Sequence, residues 1–157
     1  MSRPLSAAAR AAANAGETEE LFLVLLTFSH PDLAAPLRVT SGGAAVTSRG
    51  NLFAAYPFEL SLPGDDGARA PEARLVIDNI DRQIVAAIRA LPAAPTVLIE
   101  IVRAAAPDVI EAKFEDFRLT GVTYDSQTVQ GNLTIEDFTA EPFPAGRFTP
   151  GAFPGLF

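Results

Sequence analysis

Thr96-Val-Leu-Ile-Glu-Ile-Val102, followed by Val109-Ile-Glu-Ala-Lys-Phe114, Phe117-Arg-Leu-Thr-Gly-Val-Thr-Tyr124 and Thr128-Val-Gln-Gly-Asn-Leu-Thr-Ile135, makes the second half of the chain almost entirely extended. The first of these runs is β-branched and apolar toward both faces, with Val97, Ile99 and Ile101 set against Leu98 and Val102, so it reads as an inner strand. The next three form a meander with Asp125-Ser-Gln127 as a turn. Gly121 and Gly131 interrupt it where a bulge or a close backbone approach is expected.

Upstream, Leu21-Phe-Leu-Val-Leu-Leu-Thr-Phe28 is continuous apolar and closed by Ser29-His-Pro31, a strand covered on both faces and placed centrally. Leu37 to Thr40 and Ala44 to Ser48 flank Ser41-Gly-Gly43, which signals a short hairpin because glycines accept the positive φ of tight turns. Phe58, Leu60 and Leu62 alternate with Glu59 and Ser61, a strand with one buried and one wet face. Arg74 to Ile77 reads as another strand. Asp78 or Asn79 then caps a helix whose apolar stripe is Ile80, Ile84, Ala87, Ile88 and Leu91, stopped by Pro92. Strands outnumber helices and no βαβ rhythm appears. The expected fold is therefore mainly β, a sandwich or partly closed antiparallel barrel with one packed helix, at the margin of α+β.

The 157 residues suit one domain spanning 21–140, preceded by an alanine-rich segment over 1–20 and followed by an extended arm over 141–157. Pro4 to Ala15 has high helix propensity, but Leu5 is its one large apolar side chain, so it is expected to order only against a partner. The arm carries Pro142, Pro144, Pro150 and Pro154 with Gly146, Gly151 and Gly155, which rule out a helix or a central strand. Phe143, Phe148, Phe153 and Phe157 are spaced five, five and four apart, matching neither regular period, so each ring needs its own cover. That cover is either the chain's own domain or a neighbouring subunit.

A net charge of −7 disfavours general binding to nucleic acid or an anionic membrane, and a protein partner is expected. The stretch from Leu21 to Leu26 is too short to span a bilayer. With no cysteine, thiolate chemistry and disulfides are excluded. His30 lies within Ser29-His-Pro-Asp32, and residues so close in sequence rarely converge as a catalytic triad, so a strand-end turn with Ser29 or Asp32 capping amides is the better reading. Asp65-Asp66, Glu115-Asp116 and Glu136-Asp137 read as solvated charges, and Asp78-Asn-Ile-Asp81 lacks the loop of a calcium hand. No cofactor, no metal and no enzymatic activity are expected.

Thr27-Phe-Ser-His-Pro-Asp-Leu33, Pro57-Phe-Glu59, Ala73-Arg-Leu-Val-Ile-Asp-Asn-Ile-Asp-Arg82 and above all the ending Glu141 to Phe157 resemble an uncharacterised family of phage and prophage proteins encoded among the tail-tip genes of long, non-contractile-tailed phages. The resemblance covers Leu21 to Phe157. It implies a virion structural protein at the distal end of the tail, assembled in the host cytoplasm. Such a protein is a homo-oligomeric ring subunit, a hexamer favoured over a trimer, joining the tail tube protein to the tail hub protein and touching the tape measure protein. The family offers no catalytic residues to carry over. Interface residues expected on this reading are Phe143, Phe148, Phe153, Leu156 and Phe157 in the arm and Asp65, Asp66 and Arg69 in the turn-rich loop from Pro63 to Glu72. The competing reading is a β-sandwich binding module for a receptor or carbohydrate, against which stands the shortage of aromatic platforms, with no Trp and only Tyr56 and Tyr124.

Overall fold

The computed structural model describes residues 5–61, 72–78, 90–124 and 128–135. One helix, α1 (Ala7–Asn14), precedes nine strands: β1 (Phe22–Ser29), β2 (Leu37–Thr40), β3 (Val46–Ser48), β4 (Asn51–Ala55), β5 (Phe58–Ser61), β6 (Glu72–Asp78), β7 (Thr96–Arg103), β8 (Ala106–Tyr124) and β9 (Thr128–Thr134). The strands form one open sheet in the order β3-β4-β2-β1-β7-β8-β9-β6-β5. Among the described residues the fold is mainly β, as the sequence pattern requires, with its strands in a single open sheet.

Connectivity curls that sheet. β4 stands second and β5 ninth in the order, yet only Tyr56 and Pro57 separate them in the chain. Laid flat, seven strand spacings measure about 34 Å, whereas the step from Ala55 to Phe58 reaches at most about 11 Å. The conflict is resolved at the corner itself. Tyr56 N–H donates to the Thr40 carbonyl at the end of β2, and Asp78 N–H at the end of β6 donates to the Pro57 carbonyl. Two consecutive residues thus bond to strands from opposite halves of the sheet and draw them together at one end.

The curl gives the sheet an inside. Leu26 and Phe28 of β1, Val97 and Ile99 of β7, Leu75 and Ile77 of β6, and Phe117 and Leu133 are all nearly inaccessible and form one cluster, with Tyr56 and Phe58 packed against it. On the other face of β1, Leu23 and Leu25 join Val102 and Phe53 in a second cluster. Both faces of β1 are therefore buried, which its unbroken apolar run implies.

The lid over the second cluster is a correction to the sequence reading. Ser41-Gly-Gly43 does not join a paired hairpin. β2 pairs with β1 antiparallel and with β4 in parallel, and β3 pairs only with β4. The tight turn lies further on, at Ser48-Arg49-Gly50-Asn51, where Arg49 and Gly50 have φ of 50° and 75°. Two positive φ values in a two-residue loop define a type I′ turn, whose twist matches that of the flanking strands. Strand β4, with Phe53 as its buried residue, is not distinguished in the sequence because Asn51, Ala54 and Ala55 dilute its pattern.

The sequence readings of Val109–Phe114 and Phe117–Tyr124 merge into one 19-residue strand. Its break falls where the pairing with β7 shifts between Val97 and Ile99, and there Asp116 takes φ 65°, a conformation Asp tolerates better than most residues. Gly121 marks a second bulge, with φ 60° and a register shift between Thr120 and Thr123. Gly131 marks a close approach, since a Cβ there would sit 2.6 Å from Leu119 Cδ1. The helix expected over 80–91 lies outside the described residues apart from its last two positions, as do all of the loop 62–71 and the arm 141–157.

Candidate functional site

The predicted interface residues Asp65, Asp66, Arg69, Phe143, Phe148, Phe153, Leu156 and Phe157 all fall outside the described residues. What the described residues bring together instead is two arginine–carboxylate clusters, one on each side of the β7–β8 hairpin. The pattern of hydrophobicity did not single out any of their members.

The first cluster pins the β3–β4 lid. Glu100 interrupts the apolar run of β7 on the face that carries Leu25 and Val102, and its side chain is 3% exposed. Arg49, at the tip of the lid, forks onto it with Nη1–Oε1 at 2.9 Å and Nη2–Oε2 at 2.6 Å. Bidentate pairing of this kind is the strong form of the interaction. Arg49 N–H also donates to Asp108, and Ser48 Oγ donates to the Pro107 carbonyl at 2.7 Å, so the lid is stitched to the start of β8. The hydrogen bond to Glu100, with the nearby charges of Glu100 and Asp108, raises the Arg49 pKa further above its ordinary range, so its charge is permanent. Lys113 stands across from Glu100 in the register and pairs with Glu115.

The second cluster holds the N-terminal segment. Glu111 occupies the irregular step in which β8 shifts register against Ile101 and Val102, and its side chain is 1% exposed. Its Oε2 accepts from Ser6 N–H at 2.9 Å, and its Oε1 accepts from Ser6 Oγ at 2.8 Å and from Arg103 Nε at 2.9 Å. Ser6 is the N-cap of α1, its hydroxyl accepting from Ala9 N–H. Arg103 reaches on to Glu20, whose other oxygen accepts from Ala105 N–H. The helix expected to order only against a partner is thus docked on its own domain, because a buried carboxylate meets the two donors that the N-cap residue presents.

The Ser6 N–H bond, followed by Arg103 and the Ser6 hydroxyl, lowers the Glu111 pKa below its ordinary value of 4.5 against the opposing effect of burial. A carboxylate with a lowered folded-state pKa contributes stability in full above its unfolded pKa and loses it as pH falls through the folded one. Docking of α1 should therefore be complete at neutral pH and weaken only below about pH 4.5. Amide exchange of residues 7–12 followed by NMR from pH 7 to pH 3 checks this; protection unchanged down to pH 3 would show that Glu111 does not hold the helix.

His30 lies just past the end of β1. Its Nδ1 accepts from Asp32 N–H at 3.1 Å while its carbonyl accepts from Leu33 N–H, so it closes the turn after β1. The sequence reading placed the cap on Ser29 or Asp32, and the imidazole itself supplies it. Glu115 and Asp116 are exposed, as expected for solvated charges. Among the described residues no group of His, Asp or Glu is arranged to hold a metal ion. A shallow depression of about 250 Å³ lies on the wet face of β5 and β6, lined by Glu59, Ser61, Arg74 and Val76. Arg74 there donates to Gln130 Oε1 at 2.6 Å across β6 and β9.

Residues 8–148 match the model of a domain of unknown function, DUF1833. The chain belongs to the DUF1833 family. The match begins inside α1 and runs through every strand to Phe148, so the DUF1833 region includes both arginine–carboxylate clusters apart from Ser6 itself. No curated protein matches the chain. Within this DUF1833 fold both clusters consist of a buried carboxylate paired with an arginine. Glu111 accepts three hydrogen bonds and Glu100 two, all from groups that also position a neighbouring element. Chemically such groups hold the lid and the helix in place, and both carboxylates are almost wholly shielded from solvent.

Sequence reasoning had one signal for them. A lone Glu inside Val97-Leu-Ile-Glu-Ile-Val102 must either be buried with a partner or break the strand's apolar face. The partner, Arg49, is 51 residues away, and only the folded lid identifies it.

Proposed function

We propose that this chain is a structural subunit of a phage tail tip, a self-assembling ring component between the tail tube and the central hub. The observation that carries the reading is the ending Glu141 to Phe157, an apolar arm interrupted by proline and glycine on an otherwise acidic chain of net charge −7. An arm of that composition gains by laying its rings on another surface, each buried Phe being worth about 1.5–3 kcal/mol. A head-to-tail interface, in which one surface meets a different one on the next subunit, closes into a ring, with six subunits favoured over three. Supporting it is the scaffold-like use of charge described above. Among the described residues the depression on β5 and β6 is lined by no aromatic side chain, which favours the structural reading over a sugar-binding module. The partners on this reading are further copies of the chain, the tube and hub proteins, and the tape measure protein, with the virion tail tip as the location.

Light scattering over a range of concentrations, on the full chain and on a version ending at Glu141, tests the proposal. The full chain is expected to form a defined multimer and the shortened one a folded monomer. Two monomers of equal stability would remove the self-assembling ring.

A further inference from the structure

We propose that the Glu111 slot accepts α1 of a second copy of this chain, so that the N-terminal helix is an exchangeable arm. This rests on the self-assembly of the proposed function, but it assigns an interface at the opposite end of the sequence from the C-terminal arm.

The attachment of α1 is narrow. Of its eight residues only Ala9 is fully buried, and its N-cap Ser6 makes two hydrogen bonds to Glu111. A helix this short is not stable alone in water, so it is helical because it is docked. Residues 15–19, between the helix and Glu20, are all exposed, and the helix ends at Ala15 in an extended conformation, φ −73° and ψ 138°. Those five residues can span about 16–18 Å when extended. The hinge then stops abruptly, because Glu20 is fixed by Arg103 and Ala105 N–H.

Arg103 is therefore shared between the hinge and the slot. When the helix leaves, Glu111 keeps Arg103 but loses two of its three donors. The empty slot calls for a helix N-terminus presenting both a backbone N–H and a hydroxyl. A second copy presents that pair in the same form. The contacts made within one chain and between two chains are identical, and domain swapping of this type needs no new interface chemistry. Because the contacts are the same in both forms, exchange does not by itself hold two copies together; it is selected where the C-terminal clasp keeps a neighbouring slot at high local concentration.

Complementation tests this on the full-length chain. Ser6→Ala removes the arm's hydroxyl and Glu111→Gln the slot's charge. Each alone should associate more weakly in light scattering than the wild type, since only the C-terminal clasp is left to it. Their equimolar mixture should recover a 1:1 pair, since one variant has an intact slot and the other an intact arm. A second measurement avoids any slot variant. Ala9→Asp, which cannot be buried, offers an open slot but no arm, so adding it to the wild type should cap growing assemblies and lower their mean mass. Wild type and all variants associating alike, with no capping, would overturn exchange while leaving the C-terminal clasp in place. A wild type that is monomeric throughout would overturn both.

Discussion

Phe53→Ala should lower stability by about 3–5 kcal/mol. Phe53 is 1% exposed and is the one aromatic ring in the cluster that it forms with Leu23, Leu25 and Val102. It is also the side chain by which β4 seats the lid on the outer face of β1. A domain of this size is stable by about 5–15 kcal/mol, so the loss would consume a large part of the total. The neighbouring Leu52 supplies the control. It is 66% exposed on the opposite face of the same strand, and Leu52→Ala should stay within about 0.5 kcal/mol of the wild type. Urea unfolding of both variants checks the pair; equal and small effects would show that the lid does not belong to the cooperative core.

Arg49→Ala is expected to lower stability by about 3 kcal/mol, the low end of the range for stripping one partner from a buried ion pair because the guanidinium itself is partly exposed. Glu100 would be left buried on the face that carries Leu25 and Val102 with its fork removed. The backbone offers no relief, since alanine at φ 50° still bears the left-handed strain that Arg49 bears. Adding Glu100→Leu should recover much of the loss, because an apolar residue on that face packs where an unpaired carboxylate cannot. Urea unfolding with an unchanged m-value would report stability alone. An Arg49→Ala variant as stable as the wild type would show that Lys113 or solvent satisfies Glu100. Since Arg49 and Phe53 sit on one hairpin, combining Phe53→Ala with Arg49→Ala should cost less than the sum of the two.

Local pattern determined a good deal of this protein. The unbroken apolar runs of β1 and β7 specify strands buried on both faces, and the alternation of Phe58 and Leu60 with Glu59 and Ser61 specifies a half-wet one, because side-chain direction in a strand has a period of two residues. Gly121 and Gly131 announce a bulge and a close approach for equally local reasons. Whatever depends on contacts distant in sequence had to wait for the tertiary structure. The parallel pairing of β2 with β4 replaces the adjacent hairpin suggested by Ser41-Gly-Gly43, because β4 must cover the outer face of β1 to bury Phe53. The curl of the sheet follows from a two-residue corner whose partners, Thr40 and Asp78, lie on strands far apart in the sheet order. The two buried carboxylates are the clearest case. Glu100 and Glu111 look like ordinary strand charges until Arg49, 51 residues away from the first, and Ser6, 105 residues from the second, are brought against them. Burial and pairing are properties of the assembled sheet, and only folding can supply a partner across that separation.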